Sequence, residues 1–293
     1  MPDDKENQIE GDIKPDFVPI RIFISELILF SATMIFGIAS GIQLNKLVSV
    51  SLVALPDPSI KEFVVSFAFV TLVILFFTLF RKKFQKGVAV LFKILFIFSV
   101  FFGGFIALSL WISTIVSFVF IIALIVLWLV RPSVFVHDIL IILGIAGTAG
   151  YLGLSFNPWT VVLLLILFSF YDFMAVFKTK HMVKMARAMI ETGSALALIV
   201  PQGVPDFNAS TKGIKTGGRF LVLGGGDIVF PLILCVSLIP NGIFDAFFVA
   251  IFSAVGLFVS FWIFSSQKIR NPIPALPPIA FFSIVGFLIT LAL

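Results

Sequence analysis

Residues 139–171 read ILIILGIAGTAGYLGLSFNPWTVVLLLILFSFY, without a single charged side chain. The hydrocarbon core of a bilayer is about 30 Å thick and takes about 20 apolar residues of helix, so this stretch is too long for one span. The pair Asn157-Pro158 near its middle is a turn signal, because a proline usually ends a helix at the residue before it. The stretch therefore predicts two consecutive transmembrane helices joined by a short turn.

The composition of the whole chain supports the same interpretation. Of the 293 residues, 60% are hydrophobic and only 12% are charged, against roughly 25% in an average soluble domain. About 176 apolar residues, divided into spans of about 20, allow at most about eight or nine helices. This excludes a soluble enzyme, a disordered chain and a nucleic-acid-binding protein, and it assigns the net charge of +5 to loops at the membrane surface. With one cysteine and two histidines, we expect neither a metal site nor a cofactor.

Nine spans account best for the apolar segments, and the predicted fold class is an all-α membrane protein with nine transmembrane helices. A second uncharged stretch, residues 94–130, is divided near Gly103-Gly104 and Ser109. The alternative is an eight-span chain with one very long tilted helix. The predicted spans are residues 18–40, 62–80, 87–108, 111–130, 138–155, 158–177, 219–239, 244–266 and 273–293.

The distribution of Lys and Arg predicts the orientation of the spans. Basic loop residues lie in the 2–3, 4–5, 6–7 and 8–9 connections, on the side of the N-terminus, whereas the opposite side carries only Lys46 and Lys61. Because positively charged loops stay in the cytoplasm, we expect a cytoplasmic N-terminus and 6–7 loop, and a C-terminus outside. The chain is thus divided into an acidic N-terminal tail (1–16), helices 1–6 (17–177), a cytoplasmic loop (178–218) and helices 7–9 (219–293).

Three acidic residues draw attention inside the predicted spans: Glu26, Asp172 and Asp227. Each is a candidate site residue, because an ionisable group at the centre of a bilayer costs about 2.5–3.5 kcal/mol on insertion scales. Glu26, near the start of span 1, is interpreted as a structural residue that reaches the interface or pairs with a basic neighbour. Asp172 and Asp227 lie about 9 and about 12 Å from the basic residues Lys178 and Arg219 near the ends of their spans. Spans 6 and 7 are antiparallel, so the two carboxylates are predicted at similar depth.

A pair of facing carboxyl groups suggests a specific chemistry. In a low dielectric they cannot both ionise, and one keeps a proton. Such a pair can activate a water molecule as base and protonate a leaving amine as acid, as in an aspartic protease. Polar contacts that stabilise the bundle, or a proton-relay pair in a transporter, would occur at the same depth. Depth alone does not separate these hypotheses.

Three consecutive glycines, Gly224, Gly225 and Gly226, precede Asp227. Each weakens a helix by about 1 kcal/mol relative to Ala, and we expect the start of span 7 to unwind beside a substrate strand. A protease needs this freedom, because a helical peptide bond is shielded from attack. The alternative is a packing cluster, like the four glycines spaced along span 5 between Gly144 and Gly153.

Four prolines within seven positions lie at the start of span 9, in the segment Asn271–Pro278. Proline fixes φ and lacks a backbone N–H, so we expect a stiff extended strap with free carbonyls. The strap would lie at the same membrane face as Asp172 and Asp227. A simple helix-entry loop is the alternative, but three irregular features at one depth favour a functional site.

Three motifs in this order resemble those of the presenilin and signal peptide peptidase family. They are Tyr171-Asp172 in span 6, Gly224-Gly225-Gly226-Asp227 in span 7 and Pro274-Ala275-Leu276 before span 9, which look like the YD, GxGD and PAL motifs. The nine-span arrangement agrees as well, so the resemblance covers essentially the whole chain. The residues that follow the two aspartates resemble those of the archaeal homologues.

The resemblance implies an intramembrane aspartyl protease of presenilin-like fold, with Asp172 and Asp227 as the catalytic pair. Tyr171 would support the site, the Gly224–Gly226 run would border it, and Pro274–Leu276 would shape it and help to hold substrate. The substrates would be transmembrane segments in the lipid bilayer, cleaved by activated water without metal, nucleotide or covalent intermediate. Because archaeal-type relatives act alone, no obligate accessory subunit is expected.

The chain also departs from the family pattern. Gly225 occupies a position where many relatives have Leu, which would loosen the strand and alter substrate preference. The 178–218 loop is short beside that of presenilin, which argues against self-cleavage. Within it, residues 181–191 are basic and Met-rich and predict a helix at the anionic membrane surface. Residues 195–200 (ALALIV) predict an apolar extended segment. The resemblance to presenilins implies that it pairs with substrate as a strand, and the alternative is a loop packed on span 6.

Two other functions are alternatives. A secondary transporter or cation channel would use the two aspartates as ion or proton sites, although the halves show no evident repeat and an odd span count disfavours a simple duplication. A protease of the prepilin-peptidase type shares a GxGD-like motif, but it is not expected to combine that motif with Tyr171-Asp172 and the proline strap.

Overall fold

The computed structural model covers most of the predicted spans. The residues it describes are 20–50, 55, 59–79, 85–178, 186, 188–212, 214, 219–267 and 272–293. The predicted acidic tail at 1–16 lies outside them, as do the basic 2–3 connection at 80–84 and much of the Met-rich segment 181–191.

Nine α-helices of 13 to 30 residues run through the described part of the chain. Five of them (α1, α3, α5, α6 and α8) are long and apolar enough to cross a membrane, and α4, α7 and α9 are shorter apolar helices. Their bounds are α1 (Ile20–Ser49), α2 (Ile60–Leu79), α3 (Gln85–Ser109), α4 (Thr114–Val130), α5 (Val134–Ser155), α6 (Pro158–Phe173), α7 (Gly225–Ser237), α8 (Ile243–Ser265) and α9 (Leu276–Thr290).

The turns predicted inside the two uncharged stretches are confirmed. The first divides α3 from α4 directly after Ser109. The second lies at Asn157, whose side-chain oxygen accepts a hydrogen bond from the backbone N–H of Trp159 at 3.0 Å. Asn157 is thus the N-cap of α6, and Pro158 occupies the first helical position, where its missing N–H leaves no intrahelical bond unmade.

The expectation of an all-α fold is wrong in one respect, because two short strands pair beside the helices. Strands β1 (Ala197–Pro201) and β2 (Phe220–Gly224) are antiparallel, with Ala197 opposite Gly224. The extended segment predicted at 195–200 is thereby confirmed from Ala197 onward. It is paired within the chain itself, because the apolar, β-branched residues of both segments suit a strand and have a partner in each other.

Two predicted span boundaries differ most from the structure. Span 7, predicted from residue 219, begins as α7 only at Gly225, because residues 220–224 belong to the sheet. Span 1, predicted to end near residue 40, continues as α1 to Ser49, because residues 41–49 contain polar side chains but no proline to stop the helix. A short 3₁₀ helix (Val204–Asn208) follows β1.

Glycines set the close distances between several helices. A Cβ atom at Gly147 of α5 would collide with the backbone of Gly103 in α3, and one at Gly256 of α8 would lie 2.6 Å from Cα of Ile279 in α9. The packing role proposed for the span 5 glycines is thus confirmed at Gly147, since small residues let helix backbones approach. α5 contacts α1, α3, α4, α7 and β1, and it therefore forms the centre of the fold.

Candidate active site

Asp172 lies in the last turn of α6, which continues into a π-helical turn (Met174–Lys178). Its side chain is buried, and its carboxylate accepts a hydrogen bond from the backbone N–H of Leu276, the first residue of α9. A π turn interrupts the regular helical bonding and is frequent at functional sites. Asp172 is therefore positioned by the end of one helix and the start of another.

Asp227 is the third residue of α7, directly after strand β2. Gly224 is the N-cap of this helix, and its backbone N–H donates a hydrogen bond to the Asp227 carboxylate. An acidic residue at the third helical position satisfies the N-cap N–H in the same way in a capping box. A Cβ atom at Gly224 would lie 2.9 Å from Oδ2 of Asp227, so a side chain there would displace the carboxylate.

The carboxyl groups of Asp172 and Asp227 lie close enough to interact electrostatically. Both residues are buried, with 4% and 9% of their surface exposed. Phe168 of α6 and Phe230 of α7 stack with their ring centroids 4.3 Å apart, which holds the two helices together beside the pair. The structure thus brings together the two aspartates that the sequence predicts at one depth.

Tyr171 is half-buried and lies within electrostatic reach of the Asp172 carboxyl group. Its phenol therefore borders the aspartate pair. This is the place that the resemblance implies for a supporting residue.

Gly225 and Gly226 differ in the space around them. The N–H of Gly225 donates to the carbonyl of Leu196 at 3.0 Å, and a Cβ atom there would lie 2.8 Å from that oxygen. Gly226 is exposed, and a Cβ atom would meet only the ring of Phe230, at 3.8 Å. The predicted departure from helix holds for Gly224, which ends β2, but it is wrong for Gly225 and Gly226, which form the first turn of α7. The hydrogen bond from the Gly224 N–H to the Asp227 carboxylate caps α7, so the helix can begin at Gly225.

The proline strap is shorter than predicted. Residues 272–274 are not helical, but α9 begins at Leu276, so Pro277 and Pro278 lie in its first turn. Proline fits in a first turn because the N–H groups there have no intrahelical partner. The strap is therefore the short segment before α9.

The residues Pro274, Ala275 and Leu276 connect α8 with the aspartate pair. Pro274 and Leu276 are buried. The Ala275 carbonyl accepts a hydrogen bond from the Ser260 hydroxyl of α8 at 3.2 Å. The next N–H, that of Leu276, donates to Asp172. This segment thus links α8 to the Asp172 carboxylate through two consecutive hydrogen bonds.

Glu26 of α1 is a third carboxyl group near the site. It is buried, its Oε2 atom has no hydrogen-bond partner among the described residues, and its carboxyl group interacts electrostatically with Asp227. The prediction that Glu26 reaches the interface or pairs with a basic neighbour is therefore not confirmed among the described residues. The reason is helical periodicity, because Glu26 lies one turn from both Ile22 and Phe30 on the buried face of α1. Among all the residues that the structure describes, no group of three or more acidic, His or Cys side chains is arranged to hold a metal ion.

His137 and Asp138, near the start of α5, are functional candidates that the sequence analysis does not select. They are 0% and 2% exposed. Nε2 of His137 lies 3.1 Å from the carbonyl oxygen of Ala197, and Oδ1 of Asp138 accepts a hydrogen bond from the N–H of Ile199 at 3.0 Å. Span 5 is predicted only from residue 138, whereas α5 begins at Val134. Two adjacent polar residues before a long uncharged run are the signal that could have identified them.

The family described as signal-peptide peptidase, presenilin aspartyl protease matches residues 25–293. Two similar solved structures are both of a presenilin family intramembrane aspartate protease, in space groups C222 and P2. The first is 22% identical, with 91% of this chain and 96% of the other covered and a TM-score of 0.59. The second is 24% identical, with 94% and 99% covered and a TM-score of 0.60. At these identities the two structures show the presenilin-like fold alone. No curated protein matches the chain.

The family match extends over all three motifs and over nearly the whole chain. It disfavours the transporter or channel hypothesis, and the five long apolar helices fit a protein embedded in the bilayer. The chain belongs to the signal-peptide peptidase and presenilin aspartyl protease family, and it is a multi-pass integral membrane hydrolase, an intramembrane aspartic endopeptidase.

Proposed function

We propose that the chain hydrolyses peptide bonds in or near the transmembrane helices of membrane-protein substrates, with Asp172 and Asp227 as the catalytic pair. The observation that carries the proposal is the approach of two buried carboxyl groups from neighbouring helices. Each accepts a backbone N–H from a different element, one from α9 and the other from β2. Tyr171 and the Pro274–Leu276 segment border the pair as supporting residues.

The chemistry follows from a pair of carboxyl groups that shares one proton. The ionised carboxylate takes a proton from a water molecule as the water oxygen attacks the scissile carbonyl, and the protonated partner donates its proton to the carbonyl oxygen. A proton then moves to the amide nitrogen, the C–N bond breaks, and a new carboxyl and a new amine are released. Because the two groups titrate as a pair, the roles of acid and base belong to the pair. Proton transfers with water suffice, so the proposal includes no metal or cofactor.

The two strands differ in where a substrate segment could pair. Hydrogen bonds join alternate residues across the sheet, including Gly225 N–H to Leu196 O at 3.0 Å and Gln202 N–H to Arg219 O at 2.9 Å. In an antiparallel pair the intervening residues direct their N–H and C=O groups to the outer edges. On β1 the outer groups bond to α5. On β2 the outward backbone groups of Phe220 and Val222 have no hydrogen-bond partner among the described residues, whereas the N–H of Gly224 donates to Asp227.

We therefore infer that an extended substrate segment adds to the outer edge of β2, at Phe220 and Val222. Addition of a strand to an open sheet edge is a common mode of peptide recognition, and it holds the peptide extended, as hydrolysis requires. β2 ends at Gly224, directly before the turn of α7 that carries Asp227. This differs from the hypothesis that residues 195–200 pair with substrate, because both edges of β1 are already bonded.

We also propose that the nine helices are nine spans, with the N-terminus and the 178–218 loop in the cytoplasm and the C-terminus outside. The division into segments 1–16, 17–177, 178–218 and 219–293 belongs to this proposal. The only native cysteine, Cys235, is buried, so introduced cysteines report orientation directly. In intact cells, a membrane-impermeant maleimide should label Asn241→Cys, between α7 and α8, and should not label Ser266→Cys until the membrane is opened. The reverse pattern would overturn the orientation.

The catalytic proposal is tested with the purified chain alone in liposomes, together with a transmembrane reporter peptide. We expect cleavage by the wild type without an accessory subunit, and loss of cleavage in Asp172→Asn and Asp227→Asn. Mass spectrometry of the products, with and without a transition-state-mimic inhibitor of aspartyl proteases, identifies the cleaved bond. Ion flux across the same liposomes without any cleavage would overturn the proposal in favour of a transporter or channel.

A further inference from the structure

We propose that His137 and Asp138 of α5 are positioning residues that set the register of the sheet, and through it the place of substrate and of Asp227. This inference rests on the proposed function, because it concerns how the proposed substrate strand is aligned with the aspartates. Neither residue contacts the pair directly. Both act through β1.

The contacts of the two side chains are specific to one edge of one strand. The carbonyl of Ala197 can only accept a hydrogen bond, so Nε2 of His137 must donate at 3.1 Å. The N–H of Ile199 can only donate, so Oδ1 of Asp138 accepts at 3.0 Å. Ala197 and Ile199 are alternate residues, and their backbone groups point to the same edge, away from β2.

The two bonds define the register of β1. A slip by one residue would turn the bonded N–H and C=O groups to the opposite edge and move every side chain of the strand to the other face. Both polar side chains are buried, so they would then lose their partners in a place that water does not reach. Because His137 is a donor and the next residue, Asp138, is an acceptor, both can be bonded in only one alignment of β1.

A short series of backbone contacts leads from β1 to the catalytic pair. Ala197 lies opposite Gly224 in the sheet, and the preceding carbonyl, that of Leu196, accepts the N–H of Gly225. The N–H of Gly224 in turn donates to the carboxylate of Asp227. A change in the register of β1 would thus move β2, the start of α7 and the open edge of the sheet together.

The start of α5 holds the 6–7 loop at a second place as well. The N–H of Val134 donates to the carbonyl of Ala209 at 3.0 Å, and the N–H of Thr211 donates to the carbonyl of Pro132 at 2.8 Å. The ring of His137 also stacks on Phe96 of α3, with centroids 5.0 Å apart. The N-terminal end of α5 is therefore a fixed support to which the sheet is fastened.

The test separates the hydrogen bonds from the packing of the same side chains. Asp138→Leu removes the acceptor at similar size, whereas Asp138→Asn keeps an oxygen that can accept from Ile199. His137→Phe keeps the ring on Phe96 but removes the donor, whereas His137→Gln keeps a donor and loses the ring. Ser253→Ala is the matched control, because it removes a buried 2.7 Å hydrogen bond to Ser283 between α8 and α9, far along the chain from the sheet.

The readouts are the cleaved bond, determined by product mass, together with kcat and KM on a transmembrane reporter. In Asp138→Leu and His137→Phe we expect a second cleavage site displaced along the substrate and a fall in kcat/KM of about tenfold to a hundredfold, since small misplacements of reacting groups have effects of this size. Asp138→Asn and His137→Gln should restore the wild-type site. Ser253→Ala should keep it.

Unchanged products from folded Asp138→Leu and His137→Phe would overturn the inference while the proposed protease function stands. The same holds if Asp138→Asn behaves like Asp138→Leu, because the bond to Ile199 would then not be the cause. Absence of cleavage by the wild type under the same conditions would instead contradict the proposed function. If Asp138→Leu fails to fold, the cleavage site in His137→Phe, which preserves ring packing, tests the inference by itself.

Discussion

The two halves of the aspartate pair are held in different ways. Asp172 lies at the end of a helix, and its described hydrogen bond comes from the first residue of α9. Asp227 follows a strand, and its position depends on Gly224, on the pairing of β2 with β1 and on the attachment of β1 to α5. One half thus depends mainly on how helices pack, and the other on a series of backbone hydrogen bonds that tolerates little added bulk.

This difference has a chemical use. A protease in the membrane must hold its acid and base at a fixed separation and must also align an extended peptide beside them. The Asp227 half combines both tasks, because the strand with the open edge leads directly into the turn that carries the carboxylate. The Asp172 half has no strand among the described residues, and the proline segment before α9 supports it instead.

The largest expected effect comes from the aspartates themselves. Asp172→Asn and Asp227→Asn should each lower kcat by about a thousandfold or more, since an amide replaces neither an acid nor a base. Glu26→Gln is the comparison, because it removes a third buried carboxyl group that interacts with Asp227. We expect less than about a tenfold loss, since the proposed proton transfers involve only the pair. Initial rates on a transmembrane reporter check this, and equal losses in all three variants would mean that Glu26 belongs to the reacting groups.

A proline scan of β2 distinguishes its two edges. Val222→Pro removes an N–H from the open edge and should leave the sheet intact, because proline is tolerated on the free side of an edge strand. We expect KM for a transmembrane peptide to rise about tenfold, the size of about one lost hydrogen bond. Leu223→Pro removes the N–H that faces Leu198 on β1 and should instead lower the thermal unfolding temperature. An unchanged KM in a folded Val222→Pro protein would argue against substrate pairing at this edge.

Adjacent glycines test how tightly the Asp227 half is packed. Gly225→Ala places a Cβ atom 2.8 Å from the Leu196 carbonyl, and it should lower the free energy of unfolding by about 1–3 kcal/mol. Gly226→Ala places a Cβ atom 3.8 Å from the Phe230 ring, an ordinary van der Waals contact, and should leave stability unchanged or raise it by up to about 1 kcal/mol. Because Gly226 is exposed beside Asp227, its variant should lower kcat/KM without loss of fold. Thermal unfolding and rates together separate the two, and equal destabilisation would contradict the packing argument.

The smallest effect is expected on the Asp172 half. Ser260→Ala removes the hydroxyl that bonds to the Ala275 carbonyl at 3.2 Å, and it should lower stability by about 1 kcal/mol or less. The rate should stay within about threefold, because the N–H of Leu276 still reaches Asp172. Ser265→Ala, whose hydroxyl bonds to the carbonyl of Trp262 in its own helix, is the control. A loss beyond about tenfold in Ser260→Ala would mean that this half is as tightly coupled as the other.

Much of the fold could be predicted because charge is so rare in this chain. An uncharged run longer than a bilayer must turn, and Asn157-Pro158 marks the place where it does. Depth along a helix is a matter of counting residues, so Asp172 and Asp227 could be predicted at one level before any contact was known. The same two aspartates belong to the YD and GxGD motifs.

The sheet could not be predicted in the same way. FLVLG at 220–224 is apolar and directly precedes α7, so hydrophobicity does not distinguish a short strand from the start of a helix there. The distinction depends on a partner, β1, that lies about 20 residues earlier in the chain. His137 and Asp138 were missed for a related reason, since their partners on β1 lie 60 and 61 residues away.

The sequence by itself therefore determined the membrane class, the division of most of the chain into helices and the candidate aspartates, because hydrophobic length and charge placement are local properties. Only the tertiary structure decided that β1 is bonded on both edges and β2 on one, that Gly225 has no room for a side chain while Gly226 has, and that Glu26 lies within electrostatic reach of Asp227. Each of these depends on which backbone groups meet across the fold. Hydrogen bonds between distant segments create that arrangement, and local pattern does not encode it.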